Sequence, residues 1–330
     1  MSDNAALTVK NLVGGYDIVE RKQHLYVDAV SNVSFSAFKN EVVGIAGESG
    51  CGKSTLIKII YGLIMDPLVV KDGSIFVRHE EKTVDVLSLN PETRRRQLWW
   101  KVISYIPQNS MNVLNPTLRI RDHFFEVLRK HGGLGKKEAK EQILSYMEGL
   151  GLSRDVAKAY PHQLSGGMRQ RVIIALALLL KPKIILADEP STALDVIVQR
   201  GILQWLIEAQ KRLGSTLIVV THDMGVHAMV TDRLIIMYAG KVVEIGRSDN
   251  IFEDPLQPYT RLLISSLPKL RDNKPREGIM GMPPDLRNPP RGCRFHPRCP
   301  FMTDKCYEEP PLIEFDRGHY VACWLHVKNR

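Results

Sequence analysis

Residues 47–55 of this chain read Gly47-Glu48-Ser49-Gly50-Cys51-Gly52-Lys53-Ser54-Thr55. The apolar run Val42-Val43-Gly44-Ile45-Ala46 precedes them, and Leu56-Ile57-Lys58-Ile59-Ile60 follows. This order predicts a buried strand, a glycine-rich loop and a helix. Glycines let successive backbone N–H groups converge on a polyphosphate without Cβ clashes, and a helix start adds further amides and a positive dipole end. The stretch therefore predicts a binding site for a nucleoside triphosphate.

The residues of this loop have different expected tasks. The Lys53 ammonium can reach the terminal phosphates, and the Ser54 hydroxyl can ligate Mg²⁺. The thiol of Cys51 serves there only as a small side chain. A chance glycine turn is the alternative, but every fixed position of the motif and both flanks match. The other residues expected around the nucleotide are Gly47, Ser49, Gly50, Gly52 and Thr55.

Composition and charge describe an ordinary globular protein, with 44% hydrophobic residues and a net charge of +9. The length suggests about two folding units. The positive charge could serve nucleic acid, anionic lipid or nucleotide. It is spread along the chain, with some concentration between Lys269 and Arg298, and no aromatic residues are interleaved with a basic motif. We therefore expect no direct binding to nucleic acid.

The amino-terminal residues show no basic segment followed by an apolar one, so no signal peptide is expected. The longest apolar run, Val172–Leu180, is far shorter than the roughly 20 residues that cross a membrane. Any membrane role is therefore expected to come through a partner. Five cysteines in such a chain are expected to be ligands or free thiols rather than disulfides.

Strand-like and helix-like patterns alternate along the chain and predict a mostly parallel α/β core. Residues Gln108–Leu164 interrupt this core, because a helical pattern extends from Arg119 to about Leu152. Beyond Gly246 the chain becomes proline-rich and is expected to be irregular after a short amphipathic segment. The runs predicted as strands are Leu7–Leu12, Val30–Phe35, Val42–Ala46, Val102–Ile106, Ile184–Ala187, Thr216–Val220, Arg233–Tyr238 and Lys241–Ile245.

Two acidic residues, Asp188 and Glu189, follow the apolar strand Ile184–Ala187. Open α/β sheets bind ligands at the carboxyl ends of their strands. Asp188 fits a second Mg²⁺ contact, and Glu189 fits the base that orients and polarises the attacking water. The acids could instead form an exposed turn, but the upstream glycine loop favours the catalytic interpretation.

Gln108 and His222 also follow predicted strands. Gln108 could contact Mg²⁺ or the attacking water. His222 could donate a hydrogen bond to the γ-phosphate and hold Glu189 and water in line. Either residue alone would more often be structural, so both assignments depend on the glycine loop.

A second candidate anion site lies at Leu164-Ser165-Gly166-Gly167, before an apolar helix. Ser165 is placed as the N-cap, so backbone amides, a hydroxyl and a dipole end would lie together. A second phosphate site makes sense if it closes on a nucleotide held by another subunit. A capped helix preceded by a flexible turn is the alternative.

These motifs together, in order and at suitable spacing, resemble the nucleotide-binding subunit of an ATP-binding cassette (ABC) transporter. The resemblance covers residues 5 to about 250. It implies an α/β P-loop NTPase core of the RecA-like type, with an antiparallel β subdomain, a helical subdomain and an irregular C-terminal extension. The implied boundaries are 1–106 and 165–250 for the core, 107–164 for the helical subdomain and 251–330 for the extension. The implied motifs are Walker A at Gly47–Thr55, the Q-loop at Gln108, the signature at Leu164–Gln170, Walker B at Ile184–Glu189, the D-loop at Ser191–Asp195 and the switch histidine His222.

The resemblance also implies how two such subunits work. They would dimerise head to tail, so that Ser165 and Gly167 of one subunit contact the partner's ATP. Tyr16 falls where the family's aromatic residue stacks on adenine, and Tyr26 is a rival for that position. The sequence motifs for hydrolysis are intact, which predicts an active ATPase with ATP and Mg²⁺ as cofactors.

The tail is similar to the C-terminal extension of dipeptide and oligopeptide importer ATPases. The similarity rests on the segments Ile251–Thr260 and Gly281–Pro300, and Gln257 departs from it where the family more often has histidine. It implies a peripheral protein on the cytoplasmic membrane face. Its partners would be two integral permease subunits, a second ATPase subunit forming a heterodimer and, indirectly, a solute-binding protein. Peptide, nickel and sugar oligomer all remain open as the transported solute.

Four cysteines of the tail form a candidate metal site: Cys293, Cys299, Cys306 and Cys323. Four thiolates suit a tetrahedral Zn²⁺ or an iron–sulfur cluster. The gaps exceed those of a zinc knuckle, and the importer family resembles the [4Fe–4S] case. With zinc, His296 or His319 could replace a cysteine. Unliganded or disulfide-forming cysteines are the remaining possibility.

Two other functions compete with the importer hypothesis. A soluble ABC ATPase acting on nucleic acid or ribosomes would explain the positive charge and an iron–sulfur site. Such proteins usually have two cassettes or a long coiled-coil insertion, and this chain has neither. A regulatory module that binds ATP without turnover is the third hypothesis, in which Glu189 would be dispensable.

Overall fold

The computed structural model describes residues 4–20, 23–79, 82–133, 136–191, 195–267 and 278–327. The chain divides into two compact units. The first unit comprises the described parts of 1–7, 37–41 and 77–219, and the second unit those of 8–36, 42–76 and 220–330. The division predicted above, with a core, a helical subdomain and an extension, stays a prediction.

The structure confirms the alternation of strands and helices. The strands are β1 (Ala5–Glu20), β2 (Gln23–Phe38), β3 (Val42–Ala46), β4 (Leu68–His79), β5 (Lys82–Asp85), β6 (Ile103–Ile106), β7 (Ile184–Asp188), β8 (Thr216–Val220), β9 (Arg233–Tyr238), β10 (Lys241–Arg247), β11 (Ile313–Asp316) and β12 (His319–Val321). The helices are α1 (Lys53–Tyr61), α2 (Pro91–Gln97), α3 (Ile120–Val127), α4 (Lys136–Gly149), α5 (Arg154–Lys158), α6 (Gly166–Leu178), α7 (Val196–Leu213), α8 (Met224–Val230), α9 (Ser248–Glu253) and α10 (Pro258–Ser265).

In the second unit, a sheet is built around β9. Strand β3 pairs with β9 in parallel, and Val43 lies opposite Arg233. Strand β10 pairs antiparallel with β9, β12 with β10, and β11 with β12. All five residues of β3 are buried, as the continuous apolar run predicts. The glycine loop therefore leaves the sheet at the carboxyl end of a fully buried strand.

In the first unit, β6 and β7 pair in parallel, with Ile103 opposite Ile184 and Ile106 opposite Ala187. Parallel pairing in this register places the carboxyl ends of both strands at the same edge of the sheet. Gln108 follows β6, and Asp188 ends β7. The register thus positions the residues of the predicted hydrolytic site that this unit contains.

The helical region differs in detail from the predicted helical pattern of Arg119 to Leu152. Helix α3 ends in a π-helical turn at Leu128–Gly132, and Gly133 has a φ of 71°. Helix α4 then covers Lys136–Gly149. Glycine adopts the left-handed conformation readily, so this pair of glycines ends the first helix.

Two regular elements go beyond those predicted from the sequence, helix α2 and a hairpin in the tail. Asn90 caps α2, because its side chain accepts a hydrogen bond from the Thr93 N–H at 2.8 Å and Pro91 occupies the first helical position. The end of the tail forms the hairpin of β11 and β12, which joins β10. The irregular extension therefore adds two strands to the sheet of the second unit.

The tail also contributes to the core of the second unit. Tyr259 from α10 and Phe295 pack with Tyr238 at the end of β9, with ring centroids 4.6 to 5.4 Å apart. All three rings are at most 1% exposed. Of the helices that the structure describes, none is both long and apolar enough to span a bilayer.

Candidate nucleotide site and cysteine cluster

Two positions of the phosphate loop must be glycine, because the backbone of another segment lies very close to each of them. Gly47 has a φ of 149°, and a Cβ there would lie 2.1 Å from the Met237 carbonyl oxygen. Gly52 has a φ of 102°, and its Cβ would lie 1.9 Å from the Ala29 carbonyl oxygen. Real Cβ atoms do not approach oxygen this closely, so any other residue would displace the loop.

The ammonium group of Lys53 folds back onto the loop. It donates to the carbonyl oxygens of Gly47 and Glu48 at 2.7 and 2.9 Å and lies 3.6 Å from the Cys51 sulfur. Lys53 is only 7% exposed. The positive charge is therefore held inside the glycine loop, where the sequence motif requires it for a phosphate group.

The other loop residues differ in exposure. Cys51 is buried, and burial raises the pKa of its thiol, which agrees with the expected role of a small, inert side chain. Ser49 and Gly50 are exposed, and Ser54 at the start of α1 is half-buried. The open side of the loop thus lies at Ser49 and Gly50.

Both candidate adenine-stacking tyrosines lie in the second unit. The Tyr16 hydroxyl is 3.1 Å from the Thr55 hydroxyl on α1. The Tyr26 ring is covered by the Lys71 ammonium at 3.1 Å from its centroid. Burial, with a smaller contribution from Asp28, raises the pKa of Tyr26 to about 12. Tyr16 therefore adjoins the phosphate loop, whereas one face of Tyr26 is already occupied.

The structure brings together three predicted residues of the first unit. The Gln108 side-chain amide donates to the Glu189 carboxylate at 2.9 Å. Asp188 is 1% exposed and accepts a hydrogen bond of 3.4 Å from the Tyr105 hydroxyl. Glu189 has a φ of 46°, a conformation that a non-glycine residue adopts only when its surroundings enforce it. Strain of this kind is typical of functional sites.

Gln170 is a residue whose role sequence reasoning missed, although it was quoted within the signature. It is 3% exposed, accepts a hydrogen bond from the Ser110 hydroxyl at 3.0 Å and donates to the Pro190 carbonyl oxygen. It therefore joins the turn after Gln108 to the turn after Glu189. The apolar run Val172–Leu178 that follows it in α6 was the sequence signal that this helix is buried, and a buried amide side chain needs hydrogen-bond partners.

Ser165 is the predicted N-cap of α6, and the structure confirms this placement. Its hydroxyl accepts a hydrogen bond from the Met168 N–H at 3.3 Å. A Cβ at Gly167 would lie 3.0 Å from the Val198 side chain on α7. The start of α6 is exposed at Ser165, and it offers the amides and hydroxyl that an anion site needs.

His222 lies between β8 and α8 and is exposed. The next residue, Asp223, caps α8 by accepting hydrogen bonds from the N–H groups of Gly225 and Val226. The histidine therefore follows a strand end and precedes a fixed helix start. In the predicted D-loop, Thr192, Ala193 and Leu194 lie outside the described residues, and Asp195 caps α7 through the Val198 N–H.

The four tail cysteines line one cavity of about 220 Å³ in the second unit. None of the four forms a disulfide. Burial, together with the three neighbouring thiols, raises the pKa of Cys323 to about 11. Among the described residues, no group of three or more His, Cys, Asp or Glu side chains has the geometry of a metal-ion site. The structure thus gathers the predicted ligands without supporting the metal itself.

The two histidines that could replace cysteine ligands have other partners. His319 Nε2 lies 2.8 Å from the buried Glu244 carboxylate, which also accepts the N–H groups of Leu256 and Gln257. His296 Nδ1 lies 2.9 Å from the Cys293 carbonyl oxygen. Because Glu244 occupies His319, the structure does not favour this histidine as a ligand.

The glycine loop with its buried lysine follows a strand that pairs in parallel within a mixed α/β sheet, and this arrangement defines a P-loop nucleotide-binding protein, as the sequence predicted. Two family descriptions match the chain: "ABC transporter" over residues 30–192 and "Oligopeptide/dipeptide transporter, C-terminal region" over residues 243–306. A dimeric ATP-binding cassette bound to ADP and phosphate aligns with a TM-score of 0.60 and 30% identity, covering 73% of this chain and 98% of that structure.

The relatives extend the match over most of the chain. The dipeptide transport ATP-binding protein DppD of Bacillus subtilis is 43% identical over 305 residues, covering 91% of this chain and 89% of the relative. The oligopeptide transport ATP-binding protein OppD of Salmonella typhimurium is 39% identical, covering 92% and 90%. The chain therefore belongs to the ABC transporter ATPases, in the group of dipeptide and oligopeptide transport ATP-binding proteins. This membership does not favour the alternative of an ATPase acting on nucleic acid or ribosomes.

Proposed function

We propose that this chain is the ATP-hydrolysing subunit that energises an importer of peptides or related small solutes. The observation that carries the proposal is the phosphate loop folded around the buried Lys53 ammonium in the second unit. The Gln108–Glu189 contact after a strand end of the first unit supports it. The dipeptide and oligopeptide transport relatives support the solute class.

Each site residue has a defined task in this proposal. The loop amides and Lys53 hold the phosphates, and the Tyr16 ring stacks on adenine. Glu189 orients the attacking water, while Gln108 holds the Glu189 carboxylate and His222 donates to the γ-phosphate. Ser54, Asp188 and Gln108 would hold Mg²⁺, which would supply positive charge against the phosphates. Ser165 and Gly167 complete the site on the partner subunit's ATP.

The partners in this proposal are a second, related ATPase subunit and two integral permeases, which hold the chain at the cytoplasmic membrane face. A groove of about 1080 Å³ in the first unit supports a docking surface for a permease. Its lining combines Trp99 and Trp100 with the cations Arg95, Arg96 and Lys130. Aromatic and arginine side chains together are typical of protein interfaces. The heterodimer stays a proposal, and so does delivery of solute by a separate binding protein.

We also propose that the four tail cysteines hold a structural metal centre, with a [4Fe–4S] cluster favoured over Zn²⁺. All four thiols line the same cavity, and Glu244 already engages the histidine best suited to complete a mixed zinc site. Such a centre would pin a proline-rich segment with little core of its own. An absorbance spectrum and metal analysis of anaerobically purified protein would test it, with Cys306→Ser expected to lose the bound metal.

The central experiment compares Glu189→Gln with the parent chain. We expect ATP affinity to be retained, while the ATPase rate falls by about 1,000-fold because the base is removed. Glu208→Gln, an exposed carboxylate on α7, is the matched control and is expected to leave the rate unchanged.

The outcomes distinguish the hypotheses. If the parent chain binds ATP without hydrolysing it, so that Glu189→Gln changes nothing, a regulatory module without turnover is supported and the proposal is contradicted. A parent rate that Glu189→Gln leaves intact would contradict the role of Glu189 as the base. With permeases and the solute-binding protein in vesicles, short peptides should stimulate the parent ATPase. Stimulation by DNA or ribosomes instead would overturn the importer function.

A further inference from the structure

Glu48, the second residue of the phosphate loop, is held by two residues of the C-terminal extension. The Arg298 guanidinium donates to both carboxylate oxygens of Glu48, at 2.7 and 3.0 Å. The Glu48 N–H donates to the Tyr259 hydroxyl at 2.8 Å. Both the charge and the backbone of Glu48 are therefore fixed from the extension.

Hydrogen bonds to residues other than Glu48 also hold the Arg298 guanidinium in place. It donates to the backbone carbonyl oxygens of Met280 and Gly281 at 2.8 and 3.1 Å and to the Tyr238 hydroxyl at 3.2 Å. Its side chain is 7% exposed, against 22% for Glu48. A bidentate arginine–carboxylate pair with this degree of burial is much stronger than a surface pair.

Tyr259 is equally constrained. Its ring is fully buried between Tyr238 and Phe295, which belongs to the turn just before Arg298. Gln257 accepts the Tyr259 N–H and so caps α10. The Tyr259 hydroxyl, which accepts the hydrogen bond from the Glu48 N–H, therefore has little freedom to move.

Glu48 links these two residues to the phosphate-binding lysine. Its carbonyl oxygen accepts a hydrogen bond from the Lys53 ammonium at 2.9 Å, and its carboxylate lies in a loop built for a polyanion. An uncompensated carboxylate there would repel phosphate, because like charges interact strongly where solvent is excluded. The Arg298 charge offsets that repulsion.

We propose that Arg298 and Tyr259 are positioning residues of the nucleotide site, and that they act through Glu48 to set the charge and backbone of the phosphate loop. This inference rests on the proposed function, since it presumes that the loop binds ATP. According to this proposal, the C-terminal extension contributes to nucleotide binding.

The test measures binding of a fluorescent ATP analogue to the purified full-length chain. We expect Arg298→Gln to raise Kd about tenfold, because it leaves the Glu48 carboxylate without its partner. Adding Glu48→Gln to that variant should recover most of the affinity. The Kd of Arg298→Lys should lie between those of the parent and Arg298→Gln. Lysine keeps the positive charge but cannot form the bidentate hydrogen bonds of the guanidinium.

Three further readouts separate positioning from general stability. Tyr259→Phe keeps the ring and removes the hydroxyl, and it should raise Kd about threefold. The Arg298→Gln defect should shrink as salt rises, because it is electrostatic. Arg287→Gln removes the exposed pair with Asp285 in the same extension and should leave Kd unchanged.

The inference is overturned if Arg298→Gln binds like the parent, or if Glu48→Gln fails to recover any affinity in the double variant. Should Arg298→Gln not fold, Tyr259→Phe and Glu48→Gln carry the test. In that case Glu48→Gln alone must bind at least as tightly as the parent. A parent chain that binds no ATP would overturn the proposed function together with the inference.

Discussion

The phosphate loop and the segment Leu164–Gly167 both end in a helix start suited to an anion, but the two starts are capped differently. Helix α1 begins after Gly52, which has no side chain and adopts the left-handed conformation. Helix α6 begins after Ser165, whose hydroxyl accepts the Met168 N–H. The first start depends on backbone geometry, whereas the second supplies its own cap.

The two helix starts also differ in how deeply they are buried. The loop before α1 follows a fully buried strand and encloses a buried ammonium group, while Ser165 is exposed. A built-in positive charge suits a site that holds the nucleotide by itself. An exposed, self-capped start suits a site that is completed only when a partner brings the nucleotide. In our proposal, this difference is the reason that one chain carries both.

The largest expected effect comes from removing the charge of the loop. Lys53→Ala should weaken ATP binding at least about 100-fold, because the phosphates lose their buried cation and charge-assisted hydrogen bonds. Lys58→Ala, in the last turn of the same helix, is the control and should leave Kd unchanged. Calorimetry would measure Kd. A Kd for Lys53→Ala equal to that of the parent would show that the built-in charge does not distinguish the first helix start from the second.

Gly52→Ala tests the backbone geometry. A Cβ at Gly52 meets the Ala29 carbonyl oxygen, so we expect more than about 4 kcal/mol of lost stability and loss of ATP binding. Gly50→Ala is the matched variant, because Gly50 has a φ of 78° but nothing within 4 Å of its Cβ. It should cost only about 1 kcal/mol, from the left-handed backbone. Equal stabilities in urea unfolding would contradict the role of the close approach.

His227 makes the phosphate-loop region sensitive to acid. Burial lowers its pKa to about 4, with a smaller contribution from Lys53, while Asp223 acts in the opposite direction. The unfolded chain binds this proton near the ordinary value of 6.5, so stability is lost as the pH falls from 6.5 towards 4. From pH 7.5 to 5 this residue should account for about 2 kcal/mol of the loss.

Urea unfolding of His227→Val and of the parent at both pH values checks this expectation. The variant should lose about 2 kcal/mol less than the parent over that interval. The control is His162→Val, at a histidine shortly before the start of α6. This variant should lose as much stability as the parent over the same interval. Parallel losses in all three proteins would refute the assignment to His227.

Ser165→Ala has the smallest expected effect on the isolated chain. Loss of the cap should reduce stability by about 1 kcal/mol and leave the ATP affinity of the single subunit unchanged. In the assembled importer the ATPase rate should fall at least about tenfold, since Ser165 contacts the partner's nucleotide in our proposal. Ser153→Ala is a good control, because Ser153 precedes α5 without making a cap hydrogen bond.

Most elements around the site could be predicted because local patterns determine them. The run 42–46 is the buried strand β3, 216–220 is β8, and Ser165 and Asp195 cap the helices that follow them. These features depend on apolar runs and on residues three or four positions apart. A single sequence contains that information.

The contacts that sequence reasoning missed join distant residues. Arg298 and Glu48 are 250 positions apart, and His319 and Glu244 are 75 apart. Nothing in the local pattern near Glu48 signals that a tail arginine neutralises it. Gln170 was missed for a related reason, because its partners Ser110 and Pro190 come from two other loops.

The order in which the chain is synthesised gives the Glu48 contacts a further consequence. Translation produces the glycine loop long before α10 and the turn at Arg298, which lie 211 and 250 residues further along. A nascent or prematurely terminated polypeptide would therefore carry an unfinished nucleotide pocket. In our proposal, the phosphate loop therefore reaches its full affinity for ATP only after Tyr259 and Arg298 have been synthesised and have folded onto it.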